Sequence, residues 1–132
     1  MKPKDTEGVL YAVYGTLRKG FHNNNRYLEN EFSEYLGTQI LRDKFRMVSL
    51  GGFPGVIPID KDGRIIIEVF RVKSKNVEHK LDLLEGYPEF YGKVQIKTRW
   101  GVANMYTLTE EKYGKNPIVE NGDWKEYYNS NK

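Results

Sequence analysis

The chain has 132 residues, 39% of them hydrophobic, with a formal charge of +3, no cysteine and two histidines. That length admits one domain with a sizeable core, and without cysteine neither disulfides nor thiolate metal sites form, which leaves His22 and His79 and makes a zinc enzyme an unpromising class. The basic residues are scattered singly among 18 acidic ones, and the compact groupings Arg18-Lys19 and Arg42 to Arg46 are short, so the charge reads as a solvated surface and nucleic acid is not the expected partner.

The segment Met1 to Gly8 is polar and lacks the apolar stretch of a signal peptide, and no run approaches the ~18 apolar residues of a membrane span. The expectation is a cytoplasmic protein without a membrane partner, with 1–132 as one domain and its core in 9–124. Val9 to Tyr14 is uncharged and mostly β-branched or aromatic, which predicts a strand buried on both faces. Gly15-Thr16 ends it. Freed N–H groups at such a turn can line a concavity for a carboxylate or an oxyanion, although a single glycine after a strand more often marks a plain turn. A phosphate loop is disfavoured, because Phe21-His22 follows Gly20 where a Lys-Ser/Thr pair is required.

Arg18 to Asn25 reads as a polar loop and Arg26 to Phe32 as a short helix capped by Asn24 or Asn25. Ser33 to Leu41 and Phe45 to Leu50 read as two antiparallel strands around Arg42-Asp43-Lys44, with a bulge at Gly37. Gly51 to Pro58 is rich in turn residues and apolar, so a packed loop with a short edge strand is expected, followed by a turn at Asp60 to Gly63. Arg64 to Val72 is the strongest strand, apolar on both faces, and its Glu68 needs a partner.

Ser74 is the predicted N-cap of a helix over Lys75 to Glu85 that Gly86 and Pro88 end. Val77, Leu81 and Leu84 form its buried stripe, with Leu83 outside it and His79 on the far side. Glu85 falls at the edge of the buried face. Half withdrawn from water and close to the helix C-terminus, its carboxyl is expected to titrate above the ordinary glutamate value. An aromatic loop, Gly86 to Tyr91, precedes a hairpin whose strands include Val94 to Thr98 and Val102 to Leu108, turning at Trp100-Gly101. Pro117 to Trp124 is a loop leading into a short tyrosine-rich helix.

The ordered combination of Tyr14-Gly15-Thr16-Leu17, Phe53-Pro54-Gly55, Leu81-Asp82-Leu83-Leu84-Glu85-Gly86 and Gly122-Asp123-Trp124 resembles the gamma-glutamylcyclotransferase-like proteins, especially their gamma-glutamylamine cyclotransferase branch, from Val9 to about Trp124. The resemblance implies an α+β fold, a small mixed and mostly antiparallel β-barrel with flanking helices, and a substrate pocket at the turn. It implies Glu85 as the catalytic residue, with Tyr14, Gly15, Thr16, Leu17 and Tyr91 around the substrate. Tyr14 and Tyr91 read equally well as core tyrosines with satisfied hydroxyls, and Asp82 and Trp124 read as structural.

The implied partner is a small γ-glutamyl compound, with no metal and no cofactor. To form 5-oxoproline, the α-amine of a γ-glutamyl unit attacks its own side-chain carbonyl and expels an amine or amino acid. One carboxylate suffices to take the α-ammonium proton and return it to the leaving nitrogen, while main-chain N–H groups of Gly15 to Leu17 face the developing oxyanion. The rival expectation is a noncatalytic module that binds a small ligand or peptide in the same pocket.

Overall fold

Strand alternation decides the layering. In β1 (Val9–Val13) Leu10 and Ala12, joined by Tyr14 just beyond the strand, face one core, while Tyr11 and Val13 face a second. The computed structural model describes residues 8–130. The other elements are α1 (His22–Tyr27), β2 (Ser33–Ser49), β3 (Pro54–Val72), α2 (Lys75–Glu85), β4 (Gly92–Thr98), β5 (Gly101–Thr107), α3 (Glu110–Tyr113) and α4 (Trp124–Ser130). They build an α+β architecture around one five-stranded sheet in the order β2-β3-β1-β5-β4, with β1 antiparallel to β3 and parallel to β5. Among the described residues no helix is long and apolar enough to cross a membrane.

The first core lies inside the curl of this sheet and is filled by Ile65, Ile67 and Val69 of β3, Ile96 of β4, Met105 of β5 and Trp124 of α4. The second lies beneath α2, where Val77 and Leu81 meet Tyr11, Val13, Phe70 and Val72. Burying each large aliphatic side chain contributes about 1.5–3 kcal/mol, so β1 and the middle of β3, sandwiched between the cores, are the most firmly held strands.

Closure is looser than a barrel implies. β2 and β4 are the two edges and do not pair with each other; the sheet instead folds over itself through the Leu108 N–H, which donates to the Val56 carbonyl, and through Trp100, whose ring covers the Cα of Gly37. Gly37 does mark a register shift between β2 and β3.

Three local expectations are corrected. The first helix spans His22–Tyr27, not Arg26 to Phe32, and its N-cap is Phe21 with no side-chain cap bond. Asn24 is buried and donates to the Leu17 carbonyl instead, a tertiary demand that draws the asparagine run into the helix. Residues Ser33 to Ser49 form one long strand rather than two around Arg42-Asp43-Lys44, because β3 pairs with it on both sides of that point: Asp43 opposes Gly63 and Phe45 opposes Pro58. The turn residues Asp60 to Asp62 therefore bulge out of β3 opposite Lys44 and leave the strand pair continuous. Pro54 and Pro58 fit into β3 because they sit at its first residue and beside that bulge, where a missing N–H costs least.

Helix α2 follows its local signals. The Ser74 side chain accepts from the Val77 N–H, Gly86 takes a left-handed φ of 65°, and the Gly86 and Tyr87 N–H groups close back on the carbonyls of Leu83 and Asp82. This glycine-terminated closure fixes the last helical residue, Glu85, against the end of the sheet. His79 is exposed, and so is Leu83. The four-residue α3 had no recognised sequence signal.

Candidate active site

The turn after β1 is closed by the Arg18 N–H donating to the Gly15 carbonyl at 3.0 Å. The N–H groups of Gly15, Thr16 and Leu17 find no acceptor among the described residues. Two neighbours in the asparagine run clamp the turn: Asn23 Nδ2 donates to Thr16 Oγ1 at 2.8 Å and Asn24 Nδ2 to the Leu17 carbonyl at 2.9 Å. Gly15 is required by contact rather than by its dihedral angles, since a Cβ there would lie 2.7 and 2.8 Å from two ring carbons of Pro54.

Beneath the turn lies the partner that Glu68 required. Arg18, which composition alone assigns to the surface, is buried; its Nε contacts Glu68 Oε2 at 2.9 Å and its Nη1 contacts Asp123 Oδ1 at 3.0 Å. The other Glu68 oxygen accepts from the Lys19 N–H at 2.7 Å, and Lys125 Nζ approaches Oε2 at 3.4 Å. The turn is thus pinned to β3 by a buried charge-assisted pair and to the residue preceding α4 by a partly exposed one.

The turn, the end of α2 and the loop before β3 enclose a cavity of about 550 Å³. Tyr14, Gly15, Thr16, Leu17, Glu85 and Tyr91 all line it. The two tyrosines are buried and committed to main chain: Tyr14 donates to the Tyr106 carbonyl at 2.8 Å and accepts from the Val56 N–H at 3.2 Å, and Tyr91 donates to the Pro54 carbonyl at 2.6 Å. Burial first, and then the charge of Glu85 together with other neighbours, raises the pKa of both hydroxyls well above the ordinary tyrosine value. They serve as fixed walls and hold the loop over the cavity.

Glu85 differs from them. It is half-buried, no hydrogen bond or ion pair reaches its carboxylate among the described residues, and burial pushes its pKa up to about 7. A carboxyl that titrates there exchanges a proton readily near neutral pH. Asp82, three residues earlier, has a structural role: it accepts from the Tyr106 hydroxyl at 2.6 Å and pairs with Lys93 Nζ at 2.8 Å. Trp124 is core.

Sequence reasoning did not assign Asn23, Phe53, Leu83, Phe90 or Tyr106 to the cavity, although all five line it. Leu83 carried a usable signal, being an apolar residue off the packed stripe of an amphipathic helix. Asn23 and Tyr106 carried none, since each reaches the site through tertiary contacts.

A family model described as gamma-glutamyl cyclotransferase, AIG2-like, matches residues 11–126. A protein of Methanocaldococcus jannaschii provisionally named a gamma-glutamylcyclotransferase is 35% identical over 117 residues, covering 87% of this chain and 94% of its own. The gamma-glutamylcyclotransferase family protein YtfP of Escherichia coli K12 is 31% identical over 112 residues, covering 85% and 92%. The solution structure of E. coli YtfP superposes with a TM-score of 0.67 at 26% identity over 91% of this chain and 99% of that one. An uncharacterized protein from Pyrococcus horikoshii shares the fold, with a TM-score of 0.73 at 24% identity over 94% and 96% of the two chains.

Removing Arg18 leaves the buried Glu68 carboxylate with only the Lys19 N–H and the more distant Lys125 ammonium. Arg18→Met is expected to destabilise the protein by about 3–5 kcal/mol, with the double variant Arg18→Met/Glu68→Leu recovering part of that loss, as read by urea denaturation; additive losses would refute the coupling. Glu85 obeys the opposite sign. Its folded pKa of about 7 exceeds the ordinary value of ~4.3, so the native state binds more protons between those values and loses stability as pH rises through the interval. Glu85→Gln is therefore expected to match the parent below that window and to be at least as stable above it, measured by denaturation at a series of pH values.

Proposed function

The chain belongs to the gamma-glutamyl cyclotransferase, AIG2-like family, and from that premise we propose that it cleaves a γ-glutamyl amide by cyclising the glutamyl unit to 5-oxoproline and releasing the amine or amino acid. The observation that carries this reading is the unpaired Glu85 carboxyl, raised to about 7, in the same cavity as a turn whose N–H groups lack acceptors. A structural carboxylate would have found a donor, as Glu68 and Asp82 do.

The reaction needs two protons to pass from the α-nitrogen to the leaving nitrogen. Glu85 takes the first from the α-ammonium, freeing its lone pair to attack the γ-carbonyl carbon; a nitrogen–carbon bond forms and the carbonyl becomes an oxyanion. The oxyanion, or the glutamyl α-carboxylate, takes hydrogen bonds from the N–H groups of Gly15, Thr16 and Leu17, which are rigid and cost no reorganisation. Protonated Glu85 then delivers its proton to the leaving nitrogen as the old amide bond breaks. The same carboxylate carries the second proton from the new lactam nitrogen to the free amine. Tyr14, Tyr91 and Leu17 shape the walls that fold the glutamyl chain into attack geometry.

A noncatalytic module for a purely anionic ligand would be opposed by this carboxylate, whereas one for an amine-bearing ligand would bind it without releasing product. Incubation with γ-glutamyl amines, γ-glutamyl amino acids and glutathione, followed by 5-oxoproline detection, separates the two readings. Absence of product from every compound would refute the enzyme.

The parent is expected to gain kcat/KM as pH rises through a value near 7, because the ionised form is the base. Glu85→Gln should lose that acidic limb and about 10²-fold or more in rate; near-parental turnover by a folded Glu85→Gln enzyme would remove Glu85 from the mechanism. Gly15→Val should abolish activity by driving the turn off Pro54. Thr16→Ser should retain most of it, since the serine hydroxyl still accepts from Asn23, and steady-state kinetics of the two variants test the main-chain assignment.

A further inference from the structure

The cavity is lined by polar and by apolar groups. Its polar groups are the turn, Asn23, Glu85 and the hydroxyls of Tyr14, Tyr91 and Tyr106, and among the described residues no lysine, arginine or histidine lines it. Its apolar lining includes Phe53, Leu83 and Phe90, which are large side chains left in water, exposed by 38%, 67% and 40% respectively. The rings of Phe53 and Phe90 meet edge-on, with centroids 6.2 Å apart. Leu83 sits on α2 two residues before Glu85, outside the packed stripe, and serves neither core.

We infer that Phe53, Leu83 and Phe90 receive the leaving amine and select one whose substituent is apolar and uncharged. This rests on the cyclotransferase reading above and adds the class of amine to it. A cavity of about 550 Å³ is of the size that accommodates a drug-sized ligand, so it has room for the leaving group beside the glutamyl unit. An apolar substituent there covers three side chains that otherwise face water. A carboxylate in the same place meets no cation and shares the cavity with Glu85, so it loses water without compensation.

The cations Arg26 and Lys80 line a separate cleft with Tyr27, and the ridge of Leu83 and Leu84 is common to that cleft and the cavity. An anionic leaving group would have to cross that leucine ridge to reach them. This makes the two alternatives distinguishable by mutation.

The test uses the matched pair γ-glutamylphenethylamide and γ-glutamylphenylalanine, which differ by one carboxylate, with γ-glutamylmethylamide as the small control. Turnover is read as 5-oxoproline release by the parent, and affinity by calorimetry on Glu85→Gln, so that binding is measured even where no chemistry occurs. The phenethylamide should exceed both others by about tenfold or more in kcat/KM and in affinity, a discrimination within reach of an apolar pocket. Leu83→Arg, at an exposed helical position, should narrow or reverse the preference between the matched pair.

Equal or better handling of γ-glutamylphenylalanine overturns the inference. So does a carboxylate preference that Arg26→Ala or Lys80→Ala removes, which would send the leaving group to the second cleft. If no compound yields 5-oxoproline, the cyclotransferase reading fails, while the affinity order on Glu85→Gln still decides the preference; no binding of any of the three overturns both.

Discussion

The turn after β1 is held by a charge cluster whose centre, the Arg18–Glu68 pair, has left water. Arg18 reaches down from the turn to Glu68 in the middle of β3 and to Asp123 just before α4, and Glu68 uses its second oxygen on the Lys19 N–H. Buried ion pairs contribute little net stability against their own desolvation, yet once formed each member depends on the rest. The consequence is geometric: three stretches of chain far apart in sequence are locked to one another, and Gly15, Thr16 and Leu17 are held still beside the cavity. Asn23 and Asn24 secure the same turn from the side of α1.

Around the cavity the pattern of satisfied and unsatisfied groups is selective. Tyr14 and Tyr91 spend their hydroxyls on main-chain carbonyls, and Tyr106 spends its own on Asp82, which also holds Lys93. By contrast, the N–H groups of Gly15, Thr16 and Leu17 and the Glu85 carboxyl, which line the same space, have no partner among the described residues. A donor set and a proton acceptor lining one cavity suit the proposed intramolecular acyl transfer, in which a carbonyl must be polarised and protons moved. An ionised carboxylate in this position disfavours the native state.

The two cores divide these duties. The core inside the sheet fixes the register of β1, β3 and β5, while the core beneath α2 sets the height of the helix over the sheet and so the depth of Glu85. Because Val77 and Leu81 anchor α2 and Gly86 closes it, Glu85 is delivered by a rigid element. Phe53 and Pro54 belong instead to the turn into β3, tied down by Tyr91.

The sequence by itself determined the features that act within a few residues. Helix α2 was legible from Ser74 to Gly86 because capping and a four-residue apolar spacing are local effects, and the edge position of Glu85 followed from helical geometry. The β4–β5 hairpin, the burial of β1 on both faces and the need of Glu68 for a partner were legible for the same reason. Tertiary structure alone decided that Arg18 is the partner, 50 residues away in sequence, and that the asparagine run forms a helix in order to clamp a turn. It also decided that β2 runs unbroken past Asp43-Lys44, because pairing with β3 on both sides of its bulge outweighs local turn preference, and that the curled sheet stays open between β2 and β4. These outcomes depend on long-range pairing free energies, which exceed the fraction of a kilocalorie that separates local conformations and which no window of sequence contains.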